Sequence, residues 1–523
     1  PTAAVGPSRK QERHVSNQRA SRFRTRIPMV LIWTLLACTA CGAPSADTAS
    51  GPQSDNPPAA YTPDYSVGDS LAGWYALGIG AHHLCSGMWV VGRDYTRTAE
   101  QVIVDDISRF SFFRWESGFT WSVDEGAREA TVSSAKYGSR TAEYNGDQGC
   151  SILPTGNEGV FYQPRELGSR LPDPSTQDWP TGDRDAFADF TAERFSHVDQ
   201  AALDAAFDFA FDDAAMSPTQ NTRGLIAVYN GKIIAERYKD GWGPSTPQIS
   251  WSMGKSIVSA LTGTLVQQGY FGLEDPAPVP AWQQAANDPR KDIRIKDLLR
   301  MSGGLDFDNF GLTAEVSYTT ANEHMRIYFD ALNVDLHAIN QPLRYEPGTV
   351  WRYRNSDPLS LMHIARQAVG GSNEDFLAFP QRQLFDRIGM RSMVMETDAW
   401  GNFIASGYDY GSTRDWARFG LLHLWDGVWE GERILPEGWT EFVSTPAPGD
   451  PSNGYGGLFW LNRGGAADRM PPDAYWAAGF MGQQTIVIPS RDMVIVRHGP
   501  SPGGFGPYIN EVVGNILDAV PES

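Results

Sequence analysis

The chain has few cysteines, a shortage of basic residues and no hydrophobic run long enough to be a confident membrane span. It holds four cysteines and nine histidines in 523 residues, and no His/Cys group has metal-ligand spacing, so we expect no metal site. Lys and Arg number 43 against 62 Asp and Glu, and the net charge of −19 argues against a nucleic acid partner. The apolar fraction of 41% nevertheless fits a folded globular protein.

The N-terminal region has the layout of a secretory signal. Several arginines precede the short apolar run 27–37, and small residues and cysteines follow it. Leu35 stands three residues before Cys38, so this position resembles the lipobox of bacterial lipoproteins. Cys41 is the alternative lipidation site, and an ordinary cleaved signal peptide is a further alternative. We therefore predict that residues 1–41 direct export to the periplasm or cell envelope, with membrane contact only through an N-terminal lipid anchor.

Composition divides the rest of the chain into three parts. Residues 42–70 are rich in Ala, Pro, Ser and Asp and are predicted to be a flexible linker. Residues 71–185 combine short apolar runs, aromatics and turn residues, and we interpret them as an N-terminal accessory segment. The main domain is predicted over 186–523. Cys85 and Cys150 are plausible disulfide partners in an exported protein, two buried thiols being the alternative.

The main domain carries alternating strand and helix signals. Apolar runs at 225–229 and 232–237 flank Asn230-Gly231, which predicts a β-hairpin. A helix is predicted to begin near Ser252 and to stop at Gly269. Further helices are predicted at 295–301, 358–369, 375–384 and 415–425, and adjacent antiparallel strands at 484–489 and 492–497. Strands at both ends with a helical middle predict an α+β plan with an antiparallel sheet.

Two Ser-x-x-Lys sequences could supply a nucleophile. A hydroxyl and an amine three residues apart on a helix lie on one face, and a partly neutral amine there can take the hydroxyl proton. Ser252 and Lys255 meet this condition, and the Ser252 N–H at the head of a helix could bind an oxyanion. Ser133 and Lys136 lie in a turn-rich stretch, where strand geometry would point them to opposite faces. We therefore favour Ser252.

A lysine acts as a base only if burial or a nearby cation lowers its pKa far below about 10.4, so a second proton carrier is expected. Tyr353 is the candidate, because its hydroxyl could pass a proton to the leaving group. Asn355 could hold Lys255 or the substrate through its amide. Tyr508 and Asn510 repeat the same pattern in a Gly/Pro-rich context, and we interpret Tyr508 as a packing residue.

These residues resemble the motifs of a known family. The sequences Ser-Met-Gly-Lys at 252–255 and Tyr-Arg-Asn at 353–355 are similar to the first two motifs of the serine β-lactamase-related hydrolases, in particular class C β-lactamases, related esterases and 6-aminohexanoate-dimer hydrolase. Connecting segments at 293–305, 345–349 and 384–390 also resemble the family. The resemblance implies the β-lactamase/transpeptidase-like fold over about residue 221 to the C-terminus, with an antiparallel sheet, flanking helices, a helical subdomain and no cofactor.

The third family motif differs in this chain. The family usually has Lys or His, a small residue and Gly on an edge strand, and the equivalent here is Ala477-Ala478-Gly479. Gly479 keeps the position of close backbone approach, and by analogy the N–H of Phe480 would complete an oxyanion hole. The missing cation argues against β-lactam turnover as the main task.

The sequence therefore predicts an exported serine hydrolase that cleaves a small amide or ester. A β-lactamase or D-alanyl carboxypeptidase is the alternative within the same fold. The alternative outside the enzymes is a lipoprotein that binds a ligand and whose catalytic site has lost its activity. We expect specificity to reside in loops such as 309–326 and 398–410.

Overall fold

The computed structural model describes residues 71–93, 97–109, 118–216, 220–307, 323–501 and 506–522. All of these belong to one compact unit of the chain. Its helices are α1 Leu71–Trp89, α2 Ala99–Asp105, α3 Gln200–Phe211, α4 Gly254–Gln267, α5 Pro280–Gln283, α6 Ile295–Leu299, α7 Glu323–Phe329, α8 Val334–Ile339, α9 Ser356–Ala368, α10 Asn373–Pro380, α11 Thr413–Leu424, α12 Trp439–Val443 and α13 Pro507–Asp518.

The strands of the described residues form four antiparallel groups. The strands are β1 Phe119–Asp124, β2 Glu129–Ser134, β3 Gly138–Tyr144, β4 Cys150–Ile152, β5 Gly224–Tyr229, β6 Lys232–Tyr238, β7 Gln248–Ile249, β8 Val394–Met395, β9 Asp409–Gly411, β10 Val428–Trp429, β11 Glu432–Arg433, β12 Trp460–Leu461, β13 Tyr475–Gly479, β14 Gln483–Ile488 and β15 Met493–His498. The largest sheet has the order β12-β13-β14-β15-β5-β6. The smaller groups are β1-β2-β3-β4, β7-β9-β8 and the pair β10-β11.

The central sheet joins the two ends of the main domain. Strand β15 pairs with β5, so that Ile495 lies opposite Ala227. The predicted hairpin is confirmed as β5 and β6. Its turn residues Asn230 and Gly231 have φ of 47° and 70°, which is the left-handed conformation that a two-residue hairpin turn of this type requires.

Helices cover both faces of this sheet because its strands are apolar on both sides. Along β5, Ile226 and Val228 pack into the core that contains α4 and α11. The alternate residues Leu225 and Ala227 pack into the core that contains α3 and α13. Successive side chains of a strand point to opposite faces, so one strand supplies two cores. The predicted α+β plan, with an antiparallel sheet and flanking helices, is confirmed.

The predicted accessory segment, residues 71–185, contains a long helix that the sequence pattern did not predict. Helix α1 is 19 residues long and buries apolar residues such as Leu77, Ile79 and Leu84 on several sides. Such a helix lacks the one-sided periodicity by which surface helices are recognised. Within the described ranges, no helix is both long enough and apolar enough to cross a bilayer.

Helix α1 and the sheet β1–β4 share a core with the main domain. This core includes Trp251, Tyr408 and Met481 from the main domain. A disulfide joins Cys85 of α1 to Cys150 of β4, as predicted. The segment before residue 185 is therefore packed against later parts of the chain, whereas the boundary predicted there stays a prediction.

Candidate active site

Ser252 lies in a single 3-10 turn, Trp251–Met253, that leads directly into α4. Trp251 has a φ of 52°, a left-handed conformation that is uncommon outside glycine. The Trp251 ring is held edge-on by Phe480, with 5.6 Å between ring centroids. Ser252 is half-buried. Helix α4 ends before Gly269, whose φ of 79° fits the predicted stop.

Lys255 lies one turn further along, with its amine against the Ser252 hydroxyl. The Nζ–Oγ distance is 3.0 Å, and the same Nζ lies 2.5 Å from the backbone carbonyl oxygen of Ser406. Lys255 is only 1% exposed. Burial lowers the pKa of its amine to about 7, while the charge of Asp409 acts in the opposite direction. A substantial neutral fraction near neutral pH gives this amine the capacity to accept a proton.

Tyr353 reaches the same hydroxyl from another part of the chain. Burial raises the Tyr353 pKa above its usual range, and the Ser252 hydroxyl acts in the opposite direction. The Lys255 amine lies 5.0 Å from the centroid of the Tyr353 ring, and Trp460 stacks on that ring at 5.5 Å. The tyrosine is thus held in its protonated form beside the serine and lysine.

Asn355 is fully buried immediately before α9. Its Nδ2 lies 2.9 Å from Nδ1 of His324 on α7. Burial and the charge of Lys255 lower the pKa of His324 to about 3, so this imidazole is neutral. Asn355 therefore connects the tyrosine motif to α7.

Gly479 ends β13 in contact with the segment before the nucleophile. A Cβ at this position would lie 2.0 Å from the carbonyl oxygen of Ser250, so no larger residue fits without displacement. Phe480 follows in the next turn and is half-buried. Ala477 and Ala478 occupy the preceding strand positions, and neither carries the cation that the family usually has there.

The second Ser-x-x-Lys sequence has a different geometry. Ser133 lies on β2, and its hydroxyl hydrogen-bonds across the sheet to Ser139 at 2.8 Å. Lys136 lies in the following turn, where its amine hydrogen-bonds to the Tyr137 hydroxyl. The two side chains have separate partners on the surface of the small sheet, which fits the choice of Ser252.

Four residues beside the site were not identified from the sequence: Ser406, Asp409, Tyr328 and His324. Ser406 and Asp409 belong to the stretch 398–410 and His324 belongs to 309–326, and both stretches were predicted only as specificity loops. Their roles depend on a carbonyl group and on burial, neither of which leaves a sequence signal. Cys38, Cys41 and most of the loop 309–326 lie outside the described residues. Among the described residues there is no group of three His, Cys, Asp or Glu that could hold a metal ion.

Comparison with known proteins shows the family of the chain. The family model for Beta-lactamase matches residues 214–504, which is more than half of the chain. The protein therefore has the fold of the β-lactamase-like hydrolases, and the chain belongs to the beta-lactamase family. The resemblance stated from the motifs is thereby confirmed.

Individual relatives are distant. The chain is 24% identical to the 6-aminohexanoate-dimer hydrolase of Paenarthrobacter ureafaciens over 294 residues, which cover 53% of this chain and 72% of that protein. A solved penicillin-binding protein homolog from Caulobacter crescentus is similar with a TM-score of 0.47 and 14% identity, over 63% of this chain and 98% of that chain. A family VIII carboxylesterase structure has a TM-score of 0.45 and 14% identity, over 63% and 98% respectively.

Proposed function

We propose that the protein is an exported serine hydrolase that cleaves a small ester or linear amide through an acyl-enzyme on Ser252. The observation that carries this proposal is the 3.0 Å contact between the Lys255 amine and the Ser252 hydroxyl in a setting that lowers the lysine pKa to about 7. A neutral amine takes the hydroxyl proton as Oγ attacks the carbonyl carbon of the substrate.

Tyr353 then acts as the second proton carrier. Its phenol donates a proton to the leaving group as the scissile bond breaks, and the proton held by Lys255 restores the phenol. The raised Tyr353 pKa suits a donor that must stay protonated until this step. In the second half of the reaction the same pair activates the water that releases the acyl group. Asn355 positions Lys255 or the substrate through its buried amide.

The oxyanion of each tetrahedral intermediate is bound by backbone donors. We assign this role to the N–H groups of Ser252 and Phe480, with Gly479 permitting the close approach of β13. Such a donor contributes roughly 3–4 kcal/mol to transition-state stabilisation in well-studied hydrolases.

The neutral third motif favours esters and linear amides over β-lactams. A β-lactam or D-alanyl peptide carries a carboxylate that a cation beside the nucleophile can engage, and Ala477 and Ala478 offer none. The similarity to 6-aminohexanoate-dimer hydrolase supports a linear amide as substrate. Export and an anchor on Cys38, or alternatively Cys41, rest on the signal-like residues 1–41 and fit the presence of a disulfide.

The test is covalent labelling by a serine-directed fluorophosphonate, followed by a screen of p-nitrophenyl acyl esters, linear amides and nitrocefin. S252A should abolish labelling, whereas the matched control S133A should label like the wild type. Persistent labelling of S252A would contradict the assignment. Fast nitrocefin turnover would favour the β-lactamase alternative, and an unlabelled wild type that turns over no ester would favour the binding lipoprotein.

A further inference from the structure

Helix α7 contacts two of the segments that form the candidate active site. In its first turn, Nδ1 of His324 lies 2.9 Å from Nδ2 of Asn355 in the tyrosine motif. One turn later, the Tyr328 hydroxyl donates a hydrogen bond of 3.0 Å to the Ser406 side chain. Residues four positions apart lie on one face of a helix, and the rings of His324 and Tyr328 meet edge-on at 5.0 Å. A single face of α7 therefore contacts both the tyrosine motif and the turn that carries Ser406.

The backbone carbonyl of Ser406 orients the Lys255 amine. Nζ lies 2.5 Å from this carbonyl oxygen and 3.0 Å from the Ser252 hydroxyl oxygen. A neutral amine has two hydrogens and one lone pair, so donation of one hydrogen to a carbonyl restricts the direction of the lone pair. Proton transfer needs close alignment of the reacting groups. The position of the Ser406 carbonyl therefore decides whether the lone pair meets the Ser252 hydroxyl.

The Ser406 carbonyl belongs to a tight turn, residues 404–408. Three successive N–H groups of this turn, those of residues 406 to 408, lie 2.8–3.3 Å from the carbonyl oxygen of Ile404. These bonds close the turn on itself and do not fix its position relative to the rest of the chain. Tyr328 supplies a contact from outside the turn. Besides its bond to Ser406, its hydroxyl oxygen would lie only 2.8 Å from a Cβ at Gly407, so the hydroxyl sits directly against the turn.

The Tyr328 side chain is itself held by packing. It is 5% exposed and lies in the core that α1 shares with the main domain, with 5.4 Å between its ring centroid and that of Tyr408. Packing of this kind requires only the aromatic ring, which phenylalanine would also supply. The hydroxyl adds a directed contact, because a buried polar group needs a hydrogen-bond partner and Ser406 provides it. Tyr328 thus ties the turn 404–408 to a well-packed core.

We propose that Tyr328 is a positioning residue of the active site, whose buried hydroxyl anchors the turn 404–408 through Ser406 and so keeps the Lys255 amine directed at Ser252. This rests on the proposed function, in which Lys255 is the base. Tyr328 exchanges no proton with the substrate in this role. Loss of its hydroxyl leaves the serine and the lysine in the chain but lowers the fraction of molecules in which the amine faces the serine hydroxyl.

The test measures the rate of fluorophosphonate labelling of the full chain as a function of probe concentration, with the rate expressed per site that is labelled at completion. Y328F should lower the maximal rate constant kinact by about 10–100-fold, as expected for a misplaced catalytic group, and leave the half-saturating concentration KI unchanged. Y162F is the matched control, since Tyr162 is also 5% exposed and its hydroxyl shares a 2.7 Å bond with the Thr397 side chain. It should label at the wild-type rate. An equal kinact for Y328F and Y162F would overturn the proposal.

A second variant removes the same contact from the other side. S406A deletes the acceptor of the Tyr328 bond but keeps the backbone carbonyl, so it should slow labelling as Y328F does. Y328F/S406A should label no more slowly than either single variant, because residues that act through one contact are not additive. Additive losses, or an S406A that labels at the wild-type rate, would overturn the proposal. Persistent labelling of S252A contradicts the proposed function, whereas an unlabelled S252A with wild-type kinact in Y328F contradicts only the role of Tyr328, so the two failures are distinguishable.

Discussion

Lys136 and Lys255 each follow a serine by three residues, but their surroundings give them different chemistry. Lys136 is exposed and contacts a tyrosine hydroxyl on the surface. Lys255 is buried between a serine, a backbone carbonyl and an aromatic ring. Desolvation disfavours the ammonium form of Lys255. A lysine becomes a candidate base through burial, which the tetrapeptide does not encode.

The pH dependence of the reaction should reflect this lysine. Because burial lowers the Lys255 pKa to about 7, the amine is protonated below that pH and cannot take the Ser252 proton. We expect kcat/KM for p-nitrophenyl butyrate to fall as the pH drops below 7. K255M should lower kcat/KM by about 10²–10⁴-fold, whereas K136M should leave it unchanged. A profile that is flat between pH 5 and 8 would contradict the assigned base.

At the scale of elements, the site forms where β13 ends against the turn before α4. The apolar pattern of the sequence predicted α4, β14 and β15 close to their observed bounds, because the pattern of each is regular. It located α1 poorly, since that helix is apolar on several sides. The position of the third motif could be predicted from the sequence only by counting back from strand β14. The structure adds the close contact between Gly479 and the Ser250 carbonyl.

Gly479 should tolerate no side chain. In G479A the new Cβ would meet the Ser250 carbonyl oxygen at 2.0 Å, so β13 must move away from the nucleophile turn. We expect kcat to fall by about 10²–10³-fold, as for loss of one oxyanion-hole donor, with the fold retained by circular dichroism. G118A is the control, because a Cβ there meets nothing within 4 Å. Wild-type turnover by G479A would exclude Gly479 from the site.

At the scale of the whole molecule, the segment around α1 supports the loop that carries Ser406 and Asp409. The His82 ring stacks on Tyr408 with 4.1 Å between centroids. Glu396 accepts hydrogen bonds from Ser86 and from the backbone N–H of Cys150. The N-terminal segment therefore adds a second layer of contacts behind the active-site loop.

The disulfide should stabilise this arrangement. Cys85 and Cys150 are separated by 65 residues, and closing a loop of this length restricts the unfolded chain. The double variant C85S/C150S should lower the free energy of unfolding by about 2–4 kcal/mol, measured by urea denaturation. Reductant should lower the wild-type midpoint and leave that of the double variant unchanged. Equal midpoints for the oxidised wild type and the variant would contradict a stabilising role.

The sequence by itself determined the hairpin, the principal helices of the main domain, the family, and the order of the serine, lysine and tyrosine motifs. These follow from local patterns, since turn chemistry and apolar periodicity act over a few residues. Only the tertiary structure decided that the Ser406 carbonyl meets Lys255, that Asn355 meets His324, and that α1 packs behind the loop. Burial sets the charge of Lys255, and this burial depends on residues such as Ser406, which is 151 positions away in the chain.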